Sequence, residues 1–268
     1  MSDIDLAQVR DALIAAGVTG PHRSHARHSS VAKIHALLEG DPDATFGLSM
    51  SGDHSRADVL RFMAQLTGCS PDVEDVDHQD VIDPDRTVEG IVTAAQRLRD
   101  AAATGASILI ATGHPTGLLE HNSRLADVYT KAGGKILRLR EGETFPYKGR
   151  EREVRYVGGV GVLADWGSLR HTHKSDAMEA LLEAEPWPDL VFADHGFAGA
   201  AIERGIPTIA IMDVNDHALA VAWGEGRDVT IIPMDDNRRP RVYEPVWRTF
   251  GAVILGGAAP SLRGENPS

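Results

Sequence analysis

The sequence predicts an α/β protein with a three-layer, doubly wound and mostly parallel sheet, preceded by a helical N-terminal extension. Two observations lead to this prediction. Short apolar runs such as residues 107–112 and 189–193 have the length and composition of buried strands, and segments with helical period follow them. Strands that alternate with helices are typical of doubly wound parallel sheets. The chain has 268 residues, of which 42% are hydrophobic, and this is enough for a sizeable core.

Residues 1–104 are predicted to form a mostly helical extension or cap, not a module with its own chemistry. Apolar residues recur at helical spacing in four segments, at about 1–20, 31–38, 55–67 and 88–103. Ser55 is the expected N-cap of the third helix, and Asp58 stands in the capping-box position three residues later. Gly68 is expected to end that helix.

The pattern changes at Ser107, and residues 105–256 are predicted to form the α/β core. Strands are predicted at 107–112, 135–139, 152–165 (one or two strands), 189–193, 207–212 and 229–233. Helices are predicted at about 118–132, 175–184, 197–204 and 245–255. The tail, residues 257–268, is rich in glycine, proline and polar residues and is expected to be disordered.

The composition excludes several classes of function. A formal net charge of -12 argues against a nucleic-acid-binding surface, which needs clustered lysine and arginine. No apolar run approaches the ~18 residues that span a bilayer, and no secretory signal is recognisable, so we expect no membrane partner and a cytoplasmic protein. The lone Cys69 can form neither an internal disulfide nor a cysteine-rich zinc site. The oligomeric state is left open.

The first candidate site is the loop that follows the strand at 107–112. Ligands of open parallel sheets bind beyond the carboxyl ends of the strands. The loop would bind an anion such as phosphate through its small residues and the following helix N-terminus. The residues concerned are Thr112, Gly113, His114, Pro115, Thr116 and Gly117. Their spacing matches neither dinucleotide nor Walker motifs, so no nucleotide cofactor is indicated. The alternative is a plain strand-to-helix turn.

Asp194 and His195 form the second candidate site, directly after the strand at 189–193. Asp194 could bind a metal, orient His195 or act as a nucleophile, and an imidazole titrates near neutral pH. The alternative is that Asp194 only caps the next helix and His195 is exposed.

Further histidines and carboxylates suit a divalent cation such as Mg²⁺, Mn²⁺ or Zn²⁺. Asp213, Asp216 and His217 follow the strand at 207–212. His171 and His173 could place two imidazoles on one ion, and Lys174 beside them could bind a phosphate. The alternatives are an Asp-rich turn and a chance HxH pair in a loop.

The N-terminal segment carries His22, His25 and His28, interleaved with Arg23 and Arg27. If this segment folds over the sheet edge, these residues could hold the charged end of a substrate. The alternative is a solvated segment without a binding role.

Several of these motifs together resemble a family of actinobacterial proteins named phosphatases, over roughly residues 22–250. The matching segments are Ala111-Thr-Gly-His-Pro115, residues 189–196 ending in Asp194-His195-Gly196, and the acidic turn from Asp213 to Asp216. Residues 82–87, His171-Thr-His173 and Pro233-Met-Asp-Asp236 also look similar. The resemblance implies a phosphatase.

Together, the residues and the resemblance favour a hydrolase that acts on a small phosphorylated metabolite, with or without the assistance of a divalent cation. Thr112, Gly113 and His114 would hold the phosphoryl group, with His195 as general acid or base. Asp194, Asp213 and Asp216 would bind metal or position water. Two alternatives stay open: a lyase, cyclase or isomerase acting on a phosphorylated or carboxylated metabolite, and a non-catalytic anion-binding sensor.

Overall fold

The computed structural model of the chain describes residues 4–147 and 149–256, with the backbone alone for residues 22–24. The tail predicted to be disordered, residues 257–268, lies outside the described residues. Within the described part, the protein is mixed α/β with ten α-helices. No helix in this part is both long and apolar enough to cross a membrane.

Between residues 4 and 256, the described part of the chain contains eleven strands and ten α-helices. The strands are β1 (Gly20–Ala26), β2 (Gln79–Ile82), β3 (Ser107–Thr112), β4 (Lys135–Ile136), β5 (Thr144–Tyr147), β6 (Arg150–Val157), β7 (Val160–Asp165), β8 (Ser168–Leu169), β9 (Leu190–Asp194), β10 (Thr208–Met212) and β11 (Val229–Pro233). The helices are α1 (Leu6–Ala16), α2 (Arg27–Leu38), α3 (Pro42–Thr45), α4 (Arg56–Thr67), α5 (Pro84–Ala103), α6 (Pro115–Lys131), α7 (Asp176–Leu181), α8 (His195–Glu203), α9 (His217–Gly224) and α10 (Glu244–Leu255).

The main sheet is mostly parallel, as predicted. Its strand order is β11-β10-β9-β3-β7-β6-β5, with β4 beside β3 and β8 beside β7. The five strands from β11 to β7 run parallel, and β3 lies directly beside β9, with Leu109 opposite Val191. Strands β5, β6 and β8 add an antiparallel edge. That edge was only partly predicted, because β5 has only four residues and β6 is mostly charged, so neither contains an apolar run.

Apolar side chains of the central strands belong to two separate clusters, because neighbouring residues of a strand point to opposite faces. In β3, Leu109 and Ala111 join one cluster, whereas Ile108 and Ile110 join the other. Helices α2, α4, α7, α8 and α9 pack in the first cluster, and helices α1, α5, α6 and α10 pack in the second. Helices of the first 104 residues therefore contribute to both clusters.

The N-terminal region differs from the mostly helical prediction at β1 and β2, which pair antiparallel with Gly20 opposite Ile82. The sequence of β1 is polar and rich in histidine, so no apolar alternation marks it as a strand. The helix predicted at 55–67 is confirmed as α4. Its capping box is formed by Ser55 and Asp58, and Gly68 ends it with a φ of 73°.

Several elements of the core also differ from prediction: α8 begins at His195 instead of 197, and α9 was not among the predicted helices. Helix α6 begins at Pro115 instead of 118, since proline is well tolerated in a first helical turn. The loop between β3 and α6 is therefore only Gly113 and His114. The strand predicted at 135–139 is limited to β4, whose two residues pair with the start of β3.

Candidate metal centre

Polar loops from four parallel strands meet at the carboxyl edge of the sheet. Strand β3 leads to His114, β9 ends at Asp194, β10 leads to Asp216, and β11 leads to Asp236. Because β3 and β9 are neighbours, the loop that contains His114 lies beside the end of β9, where α8 follows Asp194 directly. The fold therefore brings together loops that are far apart in the sequence.

Asp194 joins the end of β9 to the loop that follows β3. The backbone N–H of Gly113 donates to its Oδ1 at 2.5 Å, and the hydroxyl of Thr112 donates to its Oδ2. The N–H of His114 in turn donates to Thr112 Oγ1 at 2.9 Å. Burial raises the pKa of Asp194, although His195 and His114 beside it act in the opposite direction. Asp194 thus holds the loop after β3 against the end of β9, and its side chain makes no capping hydrogen bond to α8.

His195 is the most constrained residue of the site. It has a φ of 42°, in the left-handed region that a residue with a side chain rarely adopts, and its side chain is only 2% exposed. Its Nε2 lies 3.4 Å from Asp216 Oδ1 and 3.2 Å from Asp236 Oδ2, while its Nδ1 lies 3.7 Å from Asp194 Oδ1. Burial alone would lower the pKa of His195, but Asp216 and Asp236 raise it well above 6.5. The alternative of an exposed histidine is excluded.

Four imidazole rings pack against one another at this edge. Ring centroids are 4.1 Å apart for His114 and His171, 4.3 Å for His173 and His195, 4.4 Å for His114 and His195, and 4.8 Å for His171 and His173. Burial lowers the pKa of His171 and of His173 to about 4, and neighbouring histidines act in the same direction. Both rings are therefore neutral at neutral pH, which is the form that binds metals.

Thr172 fixes the segment that carries His171 and His173. Its N–H donates to the carbonyl oxygen of Gly113 at 3.1 Å, and its hydroxyl is 2.9 Å from the hydroxyl of Tyr147. A Cβ atom added at Gly113 would overlap the carbonyl oxygen of Thr172. Glycine at 113 is therefore required for the close approach of the two loops.

Gly113→Ala is expected to weaken the binding of a divalent cation by about 10- to 100-fold, the usual effect of disturbing the support of metal ligands. The added methyl group would displace Thr172 and with it His171 and His173. Isothermal titration of the metal-free protein with Zn²⁺ or Mn²⁺ measures the change. The matched control is Gly167→Ala, where a Cβ meets no atom within 4 Å. An unchanged affinity of the Gly113 variant would contradict this role.

Asp236 and Asp216 complete the centre from the side of β10 and β11. Asp236 Oδ2 lies 3.4 Å from His114 Nδ1, and both residues are buried. Burial alone would raise the pKa of Asp236, but His114 and His195 hold it well below 3.8. Asp216 also accepts a hydrogen bond from the N–H of Asp213 at 2.8 Å, so it stabilises its turn as well as facing His195.

These donors fit a divalent cation. The ligand atoms of His114, His171, His173 and His195 lie within 4.8 Å of one another, and the same holds for His195, Asp216 and Asp236. Two buried atoms of the cluster, His114 Nδ1 and Asp236 Oδ2, make no hydrogen bond in the described structure. Unsatisfied buried polar atoms are costly, and a bound ion would satisfy them. Imidazole and carboxylate donors suit Zn²⁺ or Mn²⁺.

The remaining predicted residues lie around this cluster. Asp213 is beside His25 of β1, with 3.7 Å between Asp213 Oδ2 and His25 Nε2. Thr116 is exposed. Gly117 packs against the backbone of the loop that follows β11, where a Cβ atom added to this glycine would lie 2.9 Å from the carbonyl oxygen of Arg238. The N–H of Lys174 donates to Thr172 Oγ1 at 3.1 Å.

The N-terminal segment approaches the same edge through His25, which is 3.5 Å from Asn215 Nδ2. Arg27 does not join an anion-binding patch. Its guanidinium is buried and forms an ion pair with Asp80, with 3.5 Å between Arg27 Nη1 and Asp80 Oδ1. The side chains of His22 and Arg23 lie outside the described residues, and His28 is exposed.

Asp236 was not among the predicted site residues, although its segment contributed to the family resemblance. It follows the buried strand β11 as Asp216 follows β10, so the strand-end rule that selected Asp216 applies equally to Asp236.

The family model described as Phosphatase matches residues 4–251. The chain belongs to the Phosphatase family. It is also 38% identical over 227 residues to the protein named Phosphatase SCO2771 of Streptomyces coelicolor (strain ATCC BAA-471 / A3(2) / M145), with 82% of this chain and 85% of that protein covered. The resemblance drawn from the sequence is thereby confirmed at the level of the family. The part of the chain matched by the Phosphatase family includes all four histidines and both carboxylates of the centre.

Proposed function

We propose that the protein is a divalent-metal-assisted phosphatase that hydrolyses a small phosphoric monoester. The observation that supports this most is the cluster of four histidines and two aspartates at the carboxyl edge of the sheet, in a member of the Phosphatase family. A cation in such a site supplies an activated water and neutralises charge on the phosphoryl group.

In this proposal the chain's own residues divide into ligands and positioning groups. The ligands are His114, His171, His173, His195, Asp216 and Asp236. Thr112 and Gly113 hold Asp194 in place by hydrogen bonds. Asp194 Oδ1 lies 3.7 Å from His195 Nδ1, so these three residues position His195. These roles replace the phosphate-binding and acid–base roles that the sequence suggested for the same residues.

A cavity of about 210 Å³ adjoins the cluster, below the ~300–1,000 Å³ typical of sites for drug-sized ligands. It is lined by Lys33, Ala36, Asp41, Asp43, Ala44, Phe46, His173, Asn215, Asp216 and His217. Burial lowers the pKa of His217 to about 3, so its neutral imidazole can exchange a hydrogen bond with a substrate hydroxyl. The size of the cavity and the neutral imidazole of His217 in its lining support a small, hydroxyl-bearing substrate.

Lys33 is the cation among the described residues that line this cavity. Lys33→Ala is expected to raise KM for the phosphorylated substrate about fivefold with kcat within twofold, because an exposed ion pair contributes up to about 1 kcal/mol to binding. Steady-state kinetics measure both constants. Lys131→Ala, at the far end of α6, serves as the control and should change neither. A fall in kcat with unchanged KM would show that Lys33 acts in the chemical step instead.

The proposed function is tested by inorganic phosphate release from a panel of small phosphoric monoesters, with protein loaded with Mg²⁺, Mn²⁺ or Zn²⁺. We expect release with at least one substrate and one ion. Turnover without phosphate release would favour a lyase, cyclase or isomerase, and ligand binding without turnover would favour a sensor.

We also propose that the fold is a doubly wound, three-layer arrangement and that the boundary between the N-terminal extension and the core lies between residues 104 and 105. Strand β7 lies on one side of β3, and β9, which comes later in the chain, lies on its other side. Such a reversal of strand order creates a crevice for a ligand between β3 and β9. The catalytic core would be residues 105–256, with residues 1–104 as the packed extension.

A further inference from the structure

The centre offers more donors than one catalytic ion uses. Six side chains point into it, from His114, His171, His173, His195, Asp216 and Asp236. A catalytic zinc ion typically takes three protein ligands and keeps one position for water, and Mg²⁺ keeps several waters. Six protein ligands on one ion would leave it no position for water or substrate.

The six donors fall into two groups that share His195, one of four histidines and one of His195 with Asp216 and Asp236. The orientation of the ring decides which group His195 serves. Its Nδ1 faces Asp194, while its Nε2 lies 3.2 Å from Asp236 Oδ2 and 3.4 Å from Asp216 Oδ1. The nitrogen available to a cation is therefore on the side of the carboxylates, and one nitrogen binds one ion.

We propose that the centre binds two divalent cations, one through His114, His171 and His173 and the other through His195, Asp216 and Asp236. This inference rests on the metal-assisted function proposed above and extends it. Each ion has three protein ligands and retains open positions. The three-imidazole set suits Zn²⁺, and the set with two carboxylates suits Mn²⁺ or Mg²⁺ as well.

Asp236 lies at the boundary between the two sets. Its Oδ2 is 3.2 Å from His195 Nε2 and 3.4 Å from His114 Nδ1, so one carboxylate oxygen faces a ligand of each ion. This oxygen is buried and makes no hydrogen bond in the described structure. A carboxylate in this position can bridge two cations, which in two-metal hydrolytic sites are about 3.5–4 Å apart.

The test is the metal content of the full-length chain, without any substrate. Protein stripped with a chelator is dialysed against Zn²⁺ or Mn²⁺, and metal per chain is measured by elemental analysis after removal of free ions. We expect two ions in the wild type and one each in His171→Ala and Asp216→Asn. The manganese-loaded wild type should show the electron paramagnetic resonance signal of a spin-coupled pair, and both single variants should lose it.

Asp165→Asn is the matched control, because Asp165 is a buried carboxylate held by Arg152 and Arg170 at 3.2 Å each, outside the cluster. It should retain two ions and the coupled signal. A wild type that saturates at one ion, or binds none, would overturn the proposal. Metal content is independent of turnover, so two ions without phosphate release would contradict only the proposed function.

Discussion

Asp236→Asn is expected to lower kcat/KM for phosphate release by about 10³-fold, equivalent to about 4 kcal/mol of transition-state stabilisation. The substitution removes the negative charge that faces both His114 and His195, while the amide keeps nearly the same shape. The loss follows because a neutral amide is a much weaker ligand for a hard or borderline cation than a carboxylate. Kinetics at saturating metal ion, with circular dichroism to verify folding, measure the effect.

The control for Asp236 is again Asp165→Asn, which changes a buried carboxylate of the same sheet without touching a donor of the centre. We expect its kcat/KM to stay within about threefold of the wild type. If Asp236→Asn also stayed within that range, Asp236 would not take part in the reaction.

Removal of the divalent cation is expected to abolish phosphate release and to lower the free energy of unfolding by about 4 kcal/mol relative to protein at an ion concentration 1,000 times Kd. The cause is the packing of the site. Four imidazoles and two carboxylates are gathered there, with buried atoms that lack hydrogen-bond partners. A bound ion satisfies these atoms in the folded state only. Urea unfolding with and without a chelator measures the difference.

Two controls separate this effect from general salt effects. Na⁺ at equal ionic strength screens charges without coordinating the centre, so it should not restore the lost stability. Asp236→Asn should gain much less stability from the divalent cation than the wild type gains. Equal unfolding curves with and without the ion would contradict the presence of a metal centre.

The sequence predicts much of this centre because the central strands are short, largely apolar runs. Such runs show where each strand ends, and the site residues selected for this reason were His114, Asp194, His195 and Asp216. The order of the strands was not predictable in the same way, because hydrogen bonding between β3 and β9 joins residues about 80 positions apart, and no local pattern encodes it. The contact of Asp194 with Gly113 depends on that order.

Two other features escaped prediction for physical reasons. Strand β1 is stabilised by pairing with β2 and not by an apolar face, so its polar sequence does not predict a strand. The hydrogen-bond partner of Thr112 and Gly113 was also not predictable from the sequence. A small residue at a strand end is suited to an external anion, but here the anion is the chain's own Asp194.

The backbone of His195 has a consequence for how this chain can change during evolution. A glycine would adopt its φ of 42° without steric cost, whereas a residue with a side chain in such a region costs of order 1–3 kcal/mol. Selection for stability and selection for ligand binding therefore oppose each other at this one position. A lineage that no longer needed the imidazole would become more robust by losing it, and its loss would be a sensitive marker of relatives that have abandoned the chemistry while keeping the fold.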